Sequence, residues 1–240
     1  MSWKKTPPFF AWQTLKFAED LAHFRLMWTY YGQWLSSFRA GRSSVQDEWP
    51  WINFPALEVL MHAVKPGFKV FEFGGGGSTL FFCKRGAEVV TVEDHTQWFQ
   101  TLTEKIAASG YPHWQGHLVE PEALPPGTPE PDFKDPDAYA SAAKGMRQFS
   151  FERYAKTITQ YPEVYFDIIL VDGRARPSCI KQAIPHLKPG GLLVVDNTER
   201  DYYLAPFRAL LNETFIPVIG QRAPVPYTPD FTVTSIFRKK

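Results

Sequence analysis

The chain has 240 residues, and its 26 lysines and arginines nearly balance its 25 aspartates and glutamates, leaving a net charge of +1. That length suits one large α/β domain, and the charge balance excludes the broad basic footprint of a nucleic-acid binder. Two cysteines in apolar surroundings, Cys83 and Cys179, exclude a disulfide framework, Met1 to Pro8 lacks the apolar run of a signal peptide, and no membrane-length stretch is free of charge, so a soluble cytoplasmic protein without stable membrane association is expected.

In chain order, Phe17, Leu21, Phe24, Trp28, Tyr31, Leu35 and Phe38 recur at alternating spacings of four and three. This predicts one long helix ending near Gly41 with all seven on one face. Such a face packs against the domain or caps its site; a homodimer seam is the sharper alternative. Glu19, Asp20, Gln33 and Ser36 on the other face are not the lysine row of a membrane-surface helix. The chain thus divides into an N-terminal helical extension over 1–54 and a main domain over 55–240. A short helix is expected from Pro55 to Val64, stopped by Pro66-Gly67.

An alternation of strand and helix follows. Lys69 to Phe73 reads as a strand, Ser78 to Arg85 as a helix, Glu88 to Val92 as a strand closed by Glu93-Asp94, Gln97 to Ser109 as a helix, and Gln115 to Val119 as a third strand. From Glu120 to Tyr139 six prolines break any regular element, so 120–145 is read as an insertion, either a substrate lid or a floppy loop. A helix is predicted from Gly145 to Tyr161. Phe166 to Val171, apolar but for Asp167, is a strand ending at Asp172, Pro177 to Leu187 its following helix, and Gly191 to Val195 a strand ending at Asp196-Asn197. Phe215 to Gly220 and Phe231 to Phe237 read as a closing antiparallel pair. The fold class is α/β: a doubly wound, mostly parallel sheet with helices on both faces.

The most informative run is Val70-Phe71-Glu72-Phe73-Gly74-Gly75-Gly76-Gly77-Ser78-Thr79. It reads as a buried strand turning sharply through glycines into a helix, where ligands of such sheets bind. A dinucleotide fingerprint needs a third Gly or Ala where Thr79 stands, and a P-loop needs Lys where Gly77 stands. Glu72 also disfavours a pyrophosphate and suits a cationic ligand. Glu-x-Gly-x-Gly at Glu72, Gly74 and Gly76 resembles the first motif of the class I S-adenosylmethionine (SAM)-dependent methyltransferases. That resemblance covers roughly residues 55 to 240. It implies a cofactor site made by Glu72, Gly74, Gly75, Gly76, Gly77, Ser78 and Thr79. Glu93, 19 residues beyond Gly74, would bind the ribose hydroxyls; Asp94 and His95 would lie near the adenine, and Asp172 beside the cofactor.

Asp172, Asp196 and Asn197 end neighbouring strands, and grouped oxygen ligands suit Mg²⁺. With the intervening Pro-Gly-Gly they resemble the metal triad of catechol and caffeoyl-CoA O-methyltransferases, which implies metal-assisted transfer to a hydroxyl of a small molecule. The Gly-Arg-Ala-Arg after Asp172 and the long insertion depart from that pattern. Arg174 and Arg176 either hold an anionic acceptor or pair with Asp172. Tyr202 and Tyr203 would line an aromatic pocket or the core. His113 and His117 have no third ligand at metal spacing, and no Ser/His/Asp nucleophile turn is present. An NAD(P)-dependent oxidoreductase and a non-catalytic binding module are the alternative readings.

Overall fold

The computed structural model describes residues 3–240. The N-terminal part forms α1 (Pro7–Phe17), α2 (Leu21–Thr29), α3 (Tyr31–Ser37), α4 (Ser44–Asp47) and α5 (Phe54–Ala63). The single long helix expected across Phe17 to Phe38 is therefore broken. Ala18 turns extended at φ −63°, ψ 127°. Asp20 then caps α2, its Oδ1 accepting the His23 N–H at 2.7 Å, and a capped start satisfies a donor that an uncapped one leaves orphaned. The buried side shifts as well: Phe10, Met27 and Trp34 are fully buried, whereas Trp28, Leu35 and Phe38 are only half-buried. These helices share one apolar core with the central sheet, so their strongest face is covered within the chain.

The rest runs β1 (Lys69–Phe73), α6 (Gly77–Lys84), β2 (Glu88–Glu93), α7 (Thr96–Ser109), β3 (Trp114–Leu118), β4 (Glu122–Ala123), β5 (Phe149–Ser150), α8 (Glu152–Ala155), β6 (Phe166–Val171), α9 (Arg176–His186), β7 (Leu187–Val195), α10 (Arg208–Thr214), β8 (Phe215–Ile219), β9 (Arg222–Pro224), β10 (Phe231–Val233) and β11 (Ser235–Lys239). Seven strands make the main sheet in the order β3-β2-β1-β6-β7-β11-β8. The first five are parallel, and β11 runs antiparallel to both its neighbours. Strand alternation divides the core: Val70, Ile168, Leu170 and Val194 pack with α1 to α7 on one face, and Phe71, Phe73, Ile169, Val171 and Val195 pack with α8 to α10 on the other. Among the described residues no helix is long and apolar enough to cross a membrane.

Two segments depart from the sequence reading. The helix expected from Gly145 to Tyr161 begins only at Glu152 and tightens to a 3₁₀ turn over Lys156–Gln160. Phe149 and Ser150 are drawn instead into a two-stranded ribbon with β4, which ties the ends of the proline-rich insertion together. The strand expected across Phe231 to Phe237 divides at Thr234, whose buried hydroxyl donates to Asp196 Oδ1 at 2.6 Å; before it β10 pairs with β9, and after it β11 joins the main sheet.

Register positions the site. Phe73 lies opposite both Val92 and Val171, and Val171 lies opposite Val195. The loops that follow β1, β2, β6 and β7 therefore leave the sheet side by side at its carboxyl edge, where ligands of open α/β sheets bind.

Candidate cofactor and acceptor site

The glycine loop is shaped by its neighbours. Gly74 has φ +90°, and a Cβ there would stand 2.9 Å from Gly173 Cα, so the loops after β1 and β6 touch backbone to backbone. A Cβ on Gly75 would strike Leu102 and Thr91 at 2.7 Å, and one on Gly77 would strike the Trp49 carbonyl at 2.3 Å. Gly76 is different. Its φ of 166° is extended backbone, and a Cβ would meet nothing closer than Trp98 Cζ2 at 3.5 Å. Packing explains three of the four glycines; the fourth borders open space.

That space is a cavity of about 390 Å³, within the range of small-molecule sites. Gly74 to Ser78, Glu93, Asp94, His95 and Asp172 line it, as the sequence implied. Glu93 is buried and ties two loops together: Gly75 N–H donates to its Oε2 at 3.0 Å and His95 N–H to its Oε1 at 3.1 Å. Burial raises its pKa, against the lowering effect of these donors. Each carboxylate oxygen keeps a lone pair for a further donor.

Glu72 and Thr79 stand behind the cavity rather than on its wall. Alternation along β1 sends Glu72 inward with Val70. It is fully buried, accepts from Thr91 Oγ1 at 3.0 Å, and has no partner for Oε1. Burial pushes its pKa up to about 7, the hydroxyls around it notwithstanding. Thr79 Oγ1 accepts the Gly76 N–H at 3.0 Å and so braces the loop from inside. Both residues support the loop that was expected to bind cofactor directly.

No protein-family model and no curated protein matches the sequence. Solved structures do match the fold. SMU.1697c of Streptococcus mutans, classed as a methyltransferase and bound to S-adenosylhomocysteine (SAH), is 14% identical with a TM-score of 0.52, over 76% of this chain and 94% of that one. An rRNA-methylase assignment from Clostridium thermocellum is 12% identical with a TM-score of 0.51, over 76% and 92%. TrmN of Thermus thermophilus is 14% identical with a TM-score of 0.51, over 77% of this chain but only 48% of its own length. The chain has the class I methyltransferase fold.

In this methyltransferase fold the acidic cluster after β6 and β7 is assembled as expected, but around a guanidinium. Arg176 Nη2 donates to Asp172 Oδ1 at 2.8 Å and to the Asp172 carbonyl at 2.9 Å; Nη1 donates to Asn197 Oδ1 at 3.1 Å and to the Asp196 carbonyl; Nε donates to the Gly173 carbonyl at 3.1 Å. Asp196 Oδ2 lies 4.0 Å from Nη1, and its Oδ1 is taken by Thr234. A cation already holds the place between the carboxylates, and the Asn197 oxygen is spent on it. These residues do not fit a divalent metal, and among the described residues no group of three or more His, Cys, Asp or Glu side chains is placed to hold one. The metal reading is thereby corrected, and the ground for an oxygen acceptor, which rested on that triad, goes with it. Burial raises the pKa of both Asp172 and Asp196 and Arg176 opposes the rise in each; the Asp172 charge adds to it at Asp196, and the Glu72 and Glu93 charges add to it at Asp172. Asp172 is the open member, with 27% of its side chain exposed against 5% for Asp196.

Arg174 does not join Asp172; its Nε reaches Asp94 Oδ2 at 3.5 Å across the mouth of the cavity. Tyr203 is buried, and the Arg176 guanidinium lies 5.3 Å from its ring. His117 contacts Tyr161 and lies away from the cavity. Sequence reasoning missed Trp98, Ser44 and Trp51, which also line the cavity. Trp98 Nε1 donates to the Gly75 carbonyl at 2.7 Å. A tryptophan near the start of an amphipathic helix was the available signal. Ser44 and Trp51 carried none, because only the fold brings the N-terminal segment over the glycine loop.

Proposed function

We propose that the protein transfers a methyl group from SAM to a small-molecule acceptor. The observation that carries this reading is Gly76: its missing side chain faces ligand-sized space instead of protein, beside the Glu93 carboxylate. When bound, SAM supplies a methyl carbon on a cationic sulfur. The chain's residues hold and orient. The loop Gly74 to Gly77 lets backbone approach the methionyl part, and Glu93 accepts from the ribose hydroxyls with its remaining lone pairs. Asp94 and Trp98 border the adenine end.

The acceptor lies beyond Asp172, whose side chain borders both this cavity and a second one toward β7. SAM held by the glycine loop and Glu93 would supply its methyl carbon to the acceptor's nucleophile, the electrons of the carbon–sulfur bond leaving on sulfur. The proton released by the nucleophile passes to Asp172, a carboxylate made more basic than usual by burial and by neighbouring acids. Holding two reactants in line removes a large share of such a barrier. The acceptor atom, oxygen or nitrogen, is left to the acceptor itself.

The test is incubation of the full chain with methyl-labelled SAM and either a small-molecule extract or total RNA, with and without EDTA. The expected result is label in a small molecule, unaffected by EDTA. Label in RNA alone would move the acceptor to the class named for the rRNA-methylase neighbour.

A further inference from the structure

The second cavity, of about 660 Å³, opens between α1, the β9–β10 ribbon and the ends of β6 and β7. It shares Trp51, Asp172 and Arg176 with the cofactor cavity. Two polar atoms on residues of its wall have no partner: Gln13 Oε1 and Thr232 Oγ1. Gln13 is only 8% exposed, so water does not freely compensate its oxygen. Buried polar atoms in native proteins are nearly always paired, and exceptions call for a ligand or another cause. An amide oxygen accepts, so its complement is an N–H or O–H group.

The same wall carries cations that the protein leaves without carboxylate partners. Lys16 Nζ lies over the rings of Trp12 and Phe17, 5.0 and 4.9 Å from their centroids. The Arg222 guanidinium lies 4.5 Å from the Phe17 centroid and spends one donor on the Phe231 carbonyl, at 2.7 Å. Among the described residues neither makes a salt bridge. Yet the acids Glu199 and Asp230 line the same space. Glu199 instead accepts the Val233 N–H at 2.9 Å, and Asp230 accepts from the Thr228 hydroxyl at 2.9 Å. Positive and negative groups kept apart around one polar cavity match a ligand that carries both signs.

We infer that this cavity is the acceptor site and takes a small zwitterion of the amino-acid type. Its ammonium group donates to Gln13 Oε1 and faces the acids, and its carboxylate faces Lys16 and Arg222. The N-terminal helix α1 is then part of the acceptor site. This inference rests on the methyl-transfer reading for what happens to the ligand, but not for its binding.

The test is thermal unfolding of the full chain with each of the twenty standard amino acids in turn, with and without saturating SAH, alongside calorimetry of SAH alone. At least one amino acid should raise the melting temperature. Gln13→Leu and Lys16→Ala should each weaken that amino acid at least tenfold while SAH affinity is unchanged. Lys16 is exposed, so its variant folds in any case. SAH binding without a shift from any amino acid would overturn the inference and leave methyl transfer standing. A shift that survives both substitutions would place the amino acid elsewhere and overturn it too. An amino-acid shift lost in both variants, without any SAH binding, would keep the site and remove the methyl-transfer reading.

Discussion

Gly76→Ala separates a glycine needed by the fold from one needed by a ligand. At φ 166° the backbone accepts an L-residue, and the new methyl would meet only Trp98 Cζ2, at an ordinary contact distance of 3.5 Å. The fold should lose nothing and gain about 0.4–1 kcal/mol through the less flexible unfolded chain. A ligand lying against the loop meets that methyl directly. Forcing an extra carbon into a filled site costs about 1–3 kcal/mol, or about 5- to 150-fold in SAH affinity. Gly74→Ala is the contrast. There φ is +90° and Gly173 Cα stands 2.9 Å from the new carbon, so stability should fall by more than the roughly 1–2 kcal/mol of a left-handed L-residue. Urea unfolding and calorimetry with SAH on both variants make the comparison. Wild-type SAH affinity in Gly76→Ala would refute the reasoning, because the space above Gly76 would then hold no ligand.

Three further outcomes are expected. Glu93→Ala should weaken SAH by about 1.5–3 kcal/mol, the worth of hydrogen bonds to a charged group; calorimetry giving unchanged affinity would remove Glu93 from the ribose site. Arg176→Met leaves Asp172 and Asp196 buried without their cation, at a cost of about 3–5 kcal/mol. Because both folded-state pKa values are already raised, the loss should be larger at pH 8 than at pH 5, and equal unfolding midpoints of variant and wild type would contradict the assigned cluster. Glu72 gives a pH dependence in the wild type. Its folded pKa, up from 4.5 to about 7, means that stability is fully present below pH 4.5 and is lost as pH rises to about 7, by about 3 kcal/mol; Glu72→Gln should flatten that window in urea titrations, and an unchanged slope would show that Glu72 is not the source.

The sheet was legible because its strands are short apolar runs that end in Gly, Glu or Asp. Lys69 to Phe73 and Phe166 to Val171 fall as read, and register alone carries Asp172 to Asp196. What failed depended on contacts remote in sequence. Asp20 ends one helical periodicity by capping the next helix. Phe149 and Ser150 leave a helical pattern for a strand partner near residue 122. The site followed the same rule. That Gly74, Gly76 and Glu93 border one cavity was readable from local spacing, whereas the place of Glu72 behind it was not, because strand alternation buries that side chain. The grouping of Asp172, Asp196 and Asn197 was readable too. That Arg176 fills it was not, because arginines two and four residues past Asp172 look alike until the left-handed turn at Ala175, φ 44°, sends one inward and leaves the other at the mouth.

The most direct measurement is calorimetric titration of the full chain with SAM and SAH, with NAD as the control. Saturable binding of a sulfur cofactor, with no heat from NAD, is the predicted result. Folded protein that binds NAD, or that binds neither SAM nor SAH, would contradict it.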